Sequence, residues 1–352
     1  LCEVVPLKRV VDLRRDTITL PTEAMKRFAF EAPLGDSVYG EDPMQNELEG
    51  LAASILGKEA SIFLPSGTMG NLVALLVHTS RGDEVILEEN AHIRTSETGG
   101  IGAVAGLMVR AIRGEDGAPD PDDVRRAIRP RDIHYPRTRL VCLENTHYRY
   151  GGIVPPLEKL RAIKKVAEEE GLRVHLDGAR LFNAAVYLGI QAQEIASCAD
   201  TVMVSLSKGL GAPIGSLLAG PRDIIEEAKR YRKMLGGGMR QTGWLCACGI
   251  VALSPENIAL LEEDHKNARL LAEGLQDVEE VFIDLSKVQT NFVLLKLQRP
   301  GLTARRFVEL LQEKGVLATP ASSDVVRFVT SRQVTRDDVL FAIEKIGEIV
   351  KK

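Results

Sequence analysis

Two residues carry the clearest chemical suggestion in this sequence: Asp177 in VHLDGAR and Lys208 in VSLSKGLGAP. Each follows a short apolar run, 173–176 and 201–205, of the β-branched kind that forms buried strands. With those runs side by side in a sheet, the acid and the lysine stand at one edge. An acid beside a pyridine nitrogen keeps the ring protonated, and a lysine amine condenses with an aldehyde. That pair is the protein half of a pyridoxal 5'-phosphate (PLP) site. The same stretch also suits a plain strand–helix–strand with a surface lysine, so the elements around it must decide.

Several other turns follow the same layout. In LPSGTMGN, Ser66, Gly67 and Thr68 open a helix after a strand. The first-turn N–H groups and the positive end of the dipole suit a phosphate there. A simpler reading makes Ser66 or Thr68 the helix N-cap. His92 follows the apolar run 83–89, and Asn145, Thr146 and His147 follow 138–145. Ligands in open α/β sheets bind at the carboxyl ends of strands, so this shared placement is informative. His134 lies in a loop, RDIHYPRT. The triple-glycine turn GGGMRQTG lets backbone approach another group closely, and Arg232, Lys233 and Arg240 flank it. It could address an anion or a partner subunit.

Strands alternate with helices as far as residue 253, which predicts a mostly parallel sheet covered by helices on both faces. Near Ser254 the character changes. A helix over 256–277, strands FID, TNFVLLKL and VVRFVT, and helices over 303–314 and 335–350 predict a smaller α+β domain. The expected organisation is an arm over 1–20, a large domain over 21–253 and a small one over 254–352.

The totals narrow the class. The chain of 352 residues is 45% hydrophobic and 27% charged, ordinary for a globular protein with a large core. A net charge of −4 without a basic face argues against nucleic acid as a partner. Cys2, Cys142, Cys198, Cys246 and Cys248 show no paired metal spacing and read as free buried thiols in a reducing compartment. No metal site is expected. No run approaches the roughly 18 apolar residues of a membrane span, and the start lacks a signal-peptide core. A cytoplasmic enzyme is the expectation.

The motifs VDLRRDTITLPTEAM, GDSVYGEDP, LPSGTMGN, PRDIHYPRT, LENTH, HLDGARLFNA, LSKGLGAPIGSLLAG and RKMLGGGMRQ closely resemble the L-threonine aldolases. The resemblance runs from about Val10 to Val350. It implies the aspartate aminotransferase fold type, PLP as cofactor, and retro-aldol cleavage of L-threonine, L-allo-threonine and other β-hydroxy-α-amino acids to glycine and an aldehyde. A related β-eliminating PLP lyase, or a PLP-binding relative without turnover, are the other readings. Lys208 would bind the cofactor covalently, Asp177 would pair with the ring nitrogen, and Ser66, Gly67 and Thr68 would hold the phosphate. Arg180 would serve cofactor and substrate carboxylate, with Arg327 and Arg15 as further carboxylate contacts. His92 would stack on the ring, and His134 would lie near the substrate hydroxyl. The base could be His92, His134 or a bound water. Lys233 and Arg240 would reach across a subunit interface of a homodimer or homotetramer. The chain departs from the family pattern at Arg15, Ser37, Thr95, Ser96, Tyr148 and Ser331, mostly on the substrate side.

Overall fold

The apolar runs become strands because they are covered on both sides. Glu84–Glu88, Thr201–Ser205 and Ser216–Gly220 are buried at every position, as expected for strands between two helical layers. The structure is a computed structural model that describes residues 9–351; the start of the arm, Cys2 included, and Lys352 lie outside the described residues. Its seven-stranded sheet uses β1 (Ala60–Leu64), β2 (Glu84–Glu88), β3 (Met108–Ile112), β4 (Thr138–Glu144), β5 (Arg173–Asp177), β6 (Thr201–Ser205) and β7 (Ser216–Gly220). Their spatial order is β1-β7-β6-β5-β4-β2-β3. Only β7 runs against its neighbours, so the ends of β1, β2, β4, β5 and β6 share one edge. The register sets Glu144 beside Asp177 and Asp177 beside Met203.

The chain divides into two compact units, Thr19–Ala259 and a second that takes the described residues of Leu1–Ile18 and Leu260–Lys352. The small unit has an antiparallel sheet of β8 (Val281–Phe282), β9 (Phe292–Leu297), β10 (Thr319–Pro320) and β11 (Val325–Val329), in the order β8-β9-β11-β10. Phe307, Phe328, Leu271 and Val339 fill its core. The described part of the arm as far as Ile18 is part of this unit. Val11–Asp12 pairs in parallel with Val316–Leu317, and Leu13 is fully buried.

Two expectations need correction. The long helix over 256–277 is two helices, Pro255–Ala259 and Leu261–Glu273. The first belongs to the large unit, because Asn257 Nδ2 donates to the carbonyls of Leu210 and Ala252. The division therefore falls after Ala259 rather than at Ser254. A helix over Glu23–Glu31, capped by Thr22, follows the arm where sequence reading placed no element. Cys142, Cys198, Cys246 and Cys248 are free and buried. No single helix among the described residues is long and apolar enough to cross a membrane.

Candidate active site

The site grows from the ends of β5 and β6. Asp177, 2% exposed, closes β5. Its Oδ2 accepts from Asn71 Nδ2 at 2.8 Å and its Oδ1 from the Ala179 N–H at 3.1 Å. An ionised carboxylate has room for further donors. Gly178 must be glycine, since a Cβ there would sit 2.8 Å from the Met203 carbonyl oxygen. On the next strand, the turn after β6 is tied down at Lys208. The Lys208 carbonyl accepts from Thr19 Oγ1 at 2.7 Å and from the Gly211 N–H at 2.9 Å. Lys208 itself is half-buried.

His92 follows β2 and opens the short helix His92–Thr95. Its N–H donates to Glu144 Oε2 at 2.7 Å, which holds it against the end of β4. Its Nδ1 lies 3.0 Å from Glu97 Oε1. Burial opposes charge on this ring, but the Glu97 hydrogen bond and the carboxylates of Asp177 and Glu144 outweigh it and raise the His92 pKa. Burial, reinforced by the charge of Asp177, raises that of Glu97. The ring of Tyr148 meets His92 edge-on at 6.0 Å and lies 5.7 Å from the Arg180 guanidinium carbon. Tyr148, a departure from the family pattern, is therefore built into this edge.

At the end of β1, Ser66 caps the helix Gly67–His78 by accepting from the Met69 N–H. The N–H groups of Gly67 and Thr68 lie in the first turn, where no intrahelical acceptor exists. Ser66 is therefore the cap, and the first-turn N–H groups of Gly67 and Thr68 are the candidate anion donors. The triple-glycine turn packs here too, since a Cβ on Gly237 would fall 2.5 Å from Met69 Sδ. Lys233 and Arg240 on its flanks are exposed, and Arg240 pairs with Asp36 at 3.2 Å. Arg232 instead turns inward to the Phe63 carbonyl. Ser37 bonds to the Arg240 carbonyl and to Thr242, a structural use of that departure.

Asn145 follows β4 and its N–H donates to the Asp177 carbonyl at 2.9 Å. Its side chain is 1% exposed, yet neither Oδ1 nor Nδ2 has a partner. Buried amides left unpaired are rare and point to a missing group. His147 is different: fully buried, its Nε2 lies 3.1 Å from Glu88 Oε2, so it ties the loop rather than facing a ligand.

The structure does not bring every expected residue here. His134 lies ahead of the amino end of β4, bonded to Asp132 at 2.6 Å, with its side chain 79% exposed. That is the edge of the sheet opposite Asp177 and Lys208, because β4 runs in parallel with β5. Within one chain His134 is not part of this site. Arg15, exposed, and Arg327, buried on β11, belong to the small unit, as does the buried Ser331. Thr95 and Ser96 are exposed on the turn after His92. Sequence reading missed Asn71 and Glu97 and gave Asn145 no task. Asn71 sits just inside the helix opened by Ser-Gly-Thr, and Glu97 falls one helical turn beyond His92, so both spacings could have signalled them.

The donor set fits PLP: a buried acid with spare acceptor capacity, a lysine on the adjoining strand end, first-turn N–H groups and an unpaired amide. A metal is the other option for His92, Glu97 and Asp177, whose ligand atoms lie within 4.8 Å of one another. The amide of Asn71 already donates to both carboxylates, at 2.8 Å each.

Beneath Asp177, burial pushes the His175 pKa down to about 3 and that of His78 to about 4. Both are then neutral when folded and charged when unfolded below about pH 6.5. Their contribution is complete above that value and is lost as pH falls towards 4. Each histidine should remove on the order of 1 kcal/mol per pH unit in that window. Chemical denaturation at a series of pH values should show the loss; a flat profile between pH 6.5 and 4 would contradict the burial argument.

Comparison with known proteins agrees with this geometry. Residues 12–298 match the sequence profile of the family described as beta-eliminating lyase. The low-specificity L-threonine aldolase 1 of Arabidopsis thaliana is 44% identical over 340 residues, which is 95% of each chain. Among solved structures, the threonine aldolase of Leishmania major superposes with a TM-score of 0.84 at 21% identity, covering 96% of this chain and 99% of its own. A double mutant of Thermus thermophilus aspartate aminotransferase gives a TM-score of 0.73 at 19% identity, over 97% of this chain and 92% of that one. At such identities the structures establish the fold, which is the aspartate aminotransferase type.

Proposed function

We infer that this chain, which belongs to the L-threonine aldolase family within the β-eliminating lyases, cleaves L-threonine and L-allo-threonine to glycine and acetaldehyde. Other β-hydroxy-α-amino acids would give glycine and the matching aldehyde. The observation that carries the reading is the buried Asp177 beside Lys208 on adjoining strand ends, in a chain alike to such an aldolase along 95% of its length. PLP, when bound, supplies the sink for the electron pair released as the Cα–Cβ bond breaks. The chain's own residues do the rest. Ser66, Gly67 and Thr68 would hold the phosphate, Lys208 would supply the amine that anchors the cofactor, and Asp177 would keep the ring nitrogen protonated by opposite charge. Asn145 gives its unpaired amide to the cofactor. Arg180, Arg327 and Arg15 are the proposed contacts for the substrate carboxylate, which would orient the scissile bond.

His92 is the proposed group for the hydroxyl proton. It must be neutral to accept a proton, and its surroundings hold its pKa above the ordinary 6.5. The rate should therefore rise with pH beyond 6.5 and level off once His92 is neutral. His92→Asn should lower kcat by about 100-fold and flatten that limb. A steady-state pH profile of both proteins decides it, and an unchanged limb in the variant would remove His92 from the role.

His134 can act only on a site in a second copy of the chain. Its loop suits that task, since Ile133 at the tip is 96% exposed. We place the site at an interface of a homodimer or homotetramer, with Lys233 and Arg240 also facing a partner, and the protein in the cytoplasm, where its buried free thiols stay reduced. His134→Ala should cost about tenfold or more in kcat. Mixing it with inactive Lys208→Ala chains under conditions of subunit exchange should recover activity, and a mixture no better than its parts would contradict a shared site.

The defining assay is incubation with L-threonine. Equimolar glycine and acetaldehyde support the reading. The family's name favours one alternative, β-elimination, which would release ammonia and 2-oxobutanoate without glycine. A visible cofactor band with neither product would mark a PLP-binding relative without turnover.

A further inference from the structure

Behind Asp177 runs a buried line of hydrogen bonds that the reaction as described does not use. His78 Nε2 lies 2.9 Å from Thr201 Oγ1, and the same hydroxyl lies 3.0 Å from His175 Nδ1. His175 Nε2 lies 3.1 Å from Asn71 Oδ1. Asn71 Nδ2 then reaches Asp177 Oδ2 and Glu97 Oε1, both at 2.8 Å. Asn71, His175 and Thr201 are all fully buried.

One assignment of the protons satisfies every side-chain contact in this line. Asp177 and Glu97 accept, so Asn71 must turn its amino group to them and its Oδ1 to His175. His175 Nε2 must then carry the proton, and its Nδ1 must accept. Thr201 donates to that Nδ1 and so accepts from His78 Nε2. Burial keeps both histidines neutral, which agrees with this assignment. The sheet register fixes the geometry, since His175 and Thr201 are direct cross-strand partners. A network that only satisfied core polar groups could close on itself. This one ends in two donated protons on two acids of the site edge, Asp177 and Glu97, of which Glu97 also bonds to the His92 ring.

We propose that Asn71 and His175 are positioning residues that hold Asp177 ionised against the cofactor ring, with Thr201 and His78 fixing their orientation. The inference rests on the PLP reading above. Its physical content is that one amide serves two carboxylates. The titratable groups around Asp177 are His92, Glu97, Cys142, Glu144, His147 and His175, with Arg180 and Lys208 on the adjoining turns. Without the proton on His175 Nε2, Asn71 Oδ1 loses its partner and the amide can turn. Asp177 then loses a donor, the ring nitrogen would be less firmly protonated, and the pH midpoint of the bound cofactor's visible band would rise.

The test uses the holoprotein and three variants, His175→Phe, His175→Gln and Thr201→Val. Two quantities are read: the affinity of each apoprotein for PLP, and the pH midpoint of the visible band of bound cofactor. His175→Phe should weaken PLP binding about tenfold and move the midpoint upward by about one pH unit. His175→Gln, which restores an N–H opposite Asn71, should stay within about twofold and keep the wild-type midpoint. Thr201→Val should shift both quantities the same way as His175→Phe, by less. A midpoint unmoved in His175→Phe, or moved alike in His175→Phe and His175→Gln, overturns the inference and leaves a packing role. If His175→Phe does not fold, Thr201→Val decides alone, and an unmoved midpoint there overturns it. A wild-type protein that develops no band with PLP takes down the cofactor reading and this inference together, whereas a normal wild-type band with unmoved variants sinks this inference only.

Discussion

Lys208→Ala should abolish the visible band that PLP forms with the wild-type protein and lower glycine release from L-threonine by about 1000-fold or more. The lysine nitrogen makes the covalent link to the cofactor, and no other side chain at this strand end can replace a primary amine. The turn itself should survive, because its ties run through the Lys208 carbonyl to Thr19 and Gly211 and not through the side chain. Circular dichroism and thermal unfolding of the apoprotein should match wild type. Absorbance with added PLP, beside a coupled acetaldehyde assay, checks both parts. A variant that keeps the band unchanged would remove Lys208 from the site.

Asp177→Asn should be the second severe change, about 100- to 1000-fold in kcat/KM, the range lost when one preorganised electrostatic partner is removed. The substitution keeps shape and removes charge. It also places an amide beside the amino group of Asn71, where the 2.8 Å contact needs an acceptor. Either the new side chain turns its oxygen to Asn71 and its amino group toward the ring, or the contact is lost. In the first case the ring nitrogen meets a donor and cannot stay protonated. PLP should still bind through Lys208, with weaker affinity, so the band persists while turnover falls. Steady-state kinetics with a titration of PLP separates the two effects. Unaltered kcat with normal affinity would show that Asp177 is not the ring's partner.

Much of this was legible in the sequence because local rules and tertiary context agree there. Buried parallel strands read as continuous apolar runs, so β4, β5 and β6 could be placed within a residue or two, and with them Asp177 and Lys208. The cap at Ser66 and the first turn after it followed from the Ser-Gly-Thr turn. What was not legible depended on contacts between distant segments. Asn71 lies in an apolar helix, and only the packing of that helix on β5 turns it toward Asp177. Glu97 is one of many acids until His92 is seen beside it. Placing His134 needed the direction of β4: motif likeness put it near the substrate, and the strand puts it at the other edge of its own chain. The helix Pro255–Ala259 looked like the start of the small domain, because the anchoring of Asn257 leaves no periodic trace.

The most direct test of the central claim is to trap the cofactor where it binds. The protein is loaded with PLP, reduced with borohydride, digested, and the modified peptide identified by mass spectrometry. A single modified residue, Lys208, is expected, with no label when L-threonine has displaced the lysine from the cofactor before reduction. Label on another lysine such as Lys233, or label at Lys208 that L-threonine leaves untouched, would contradict it.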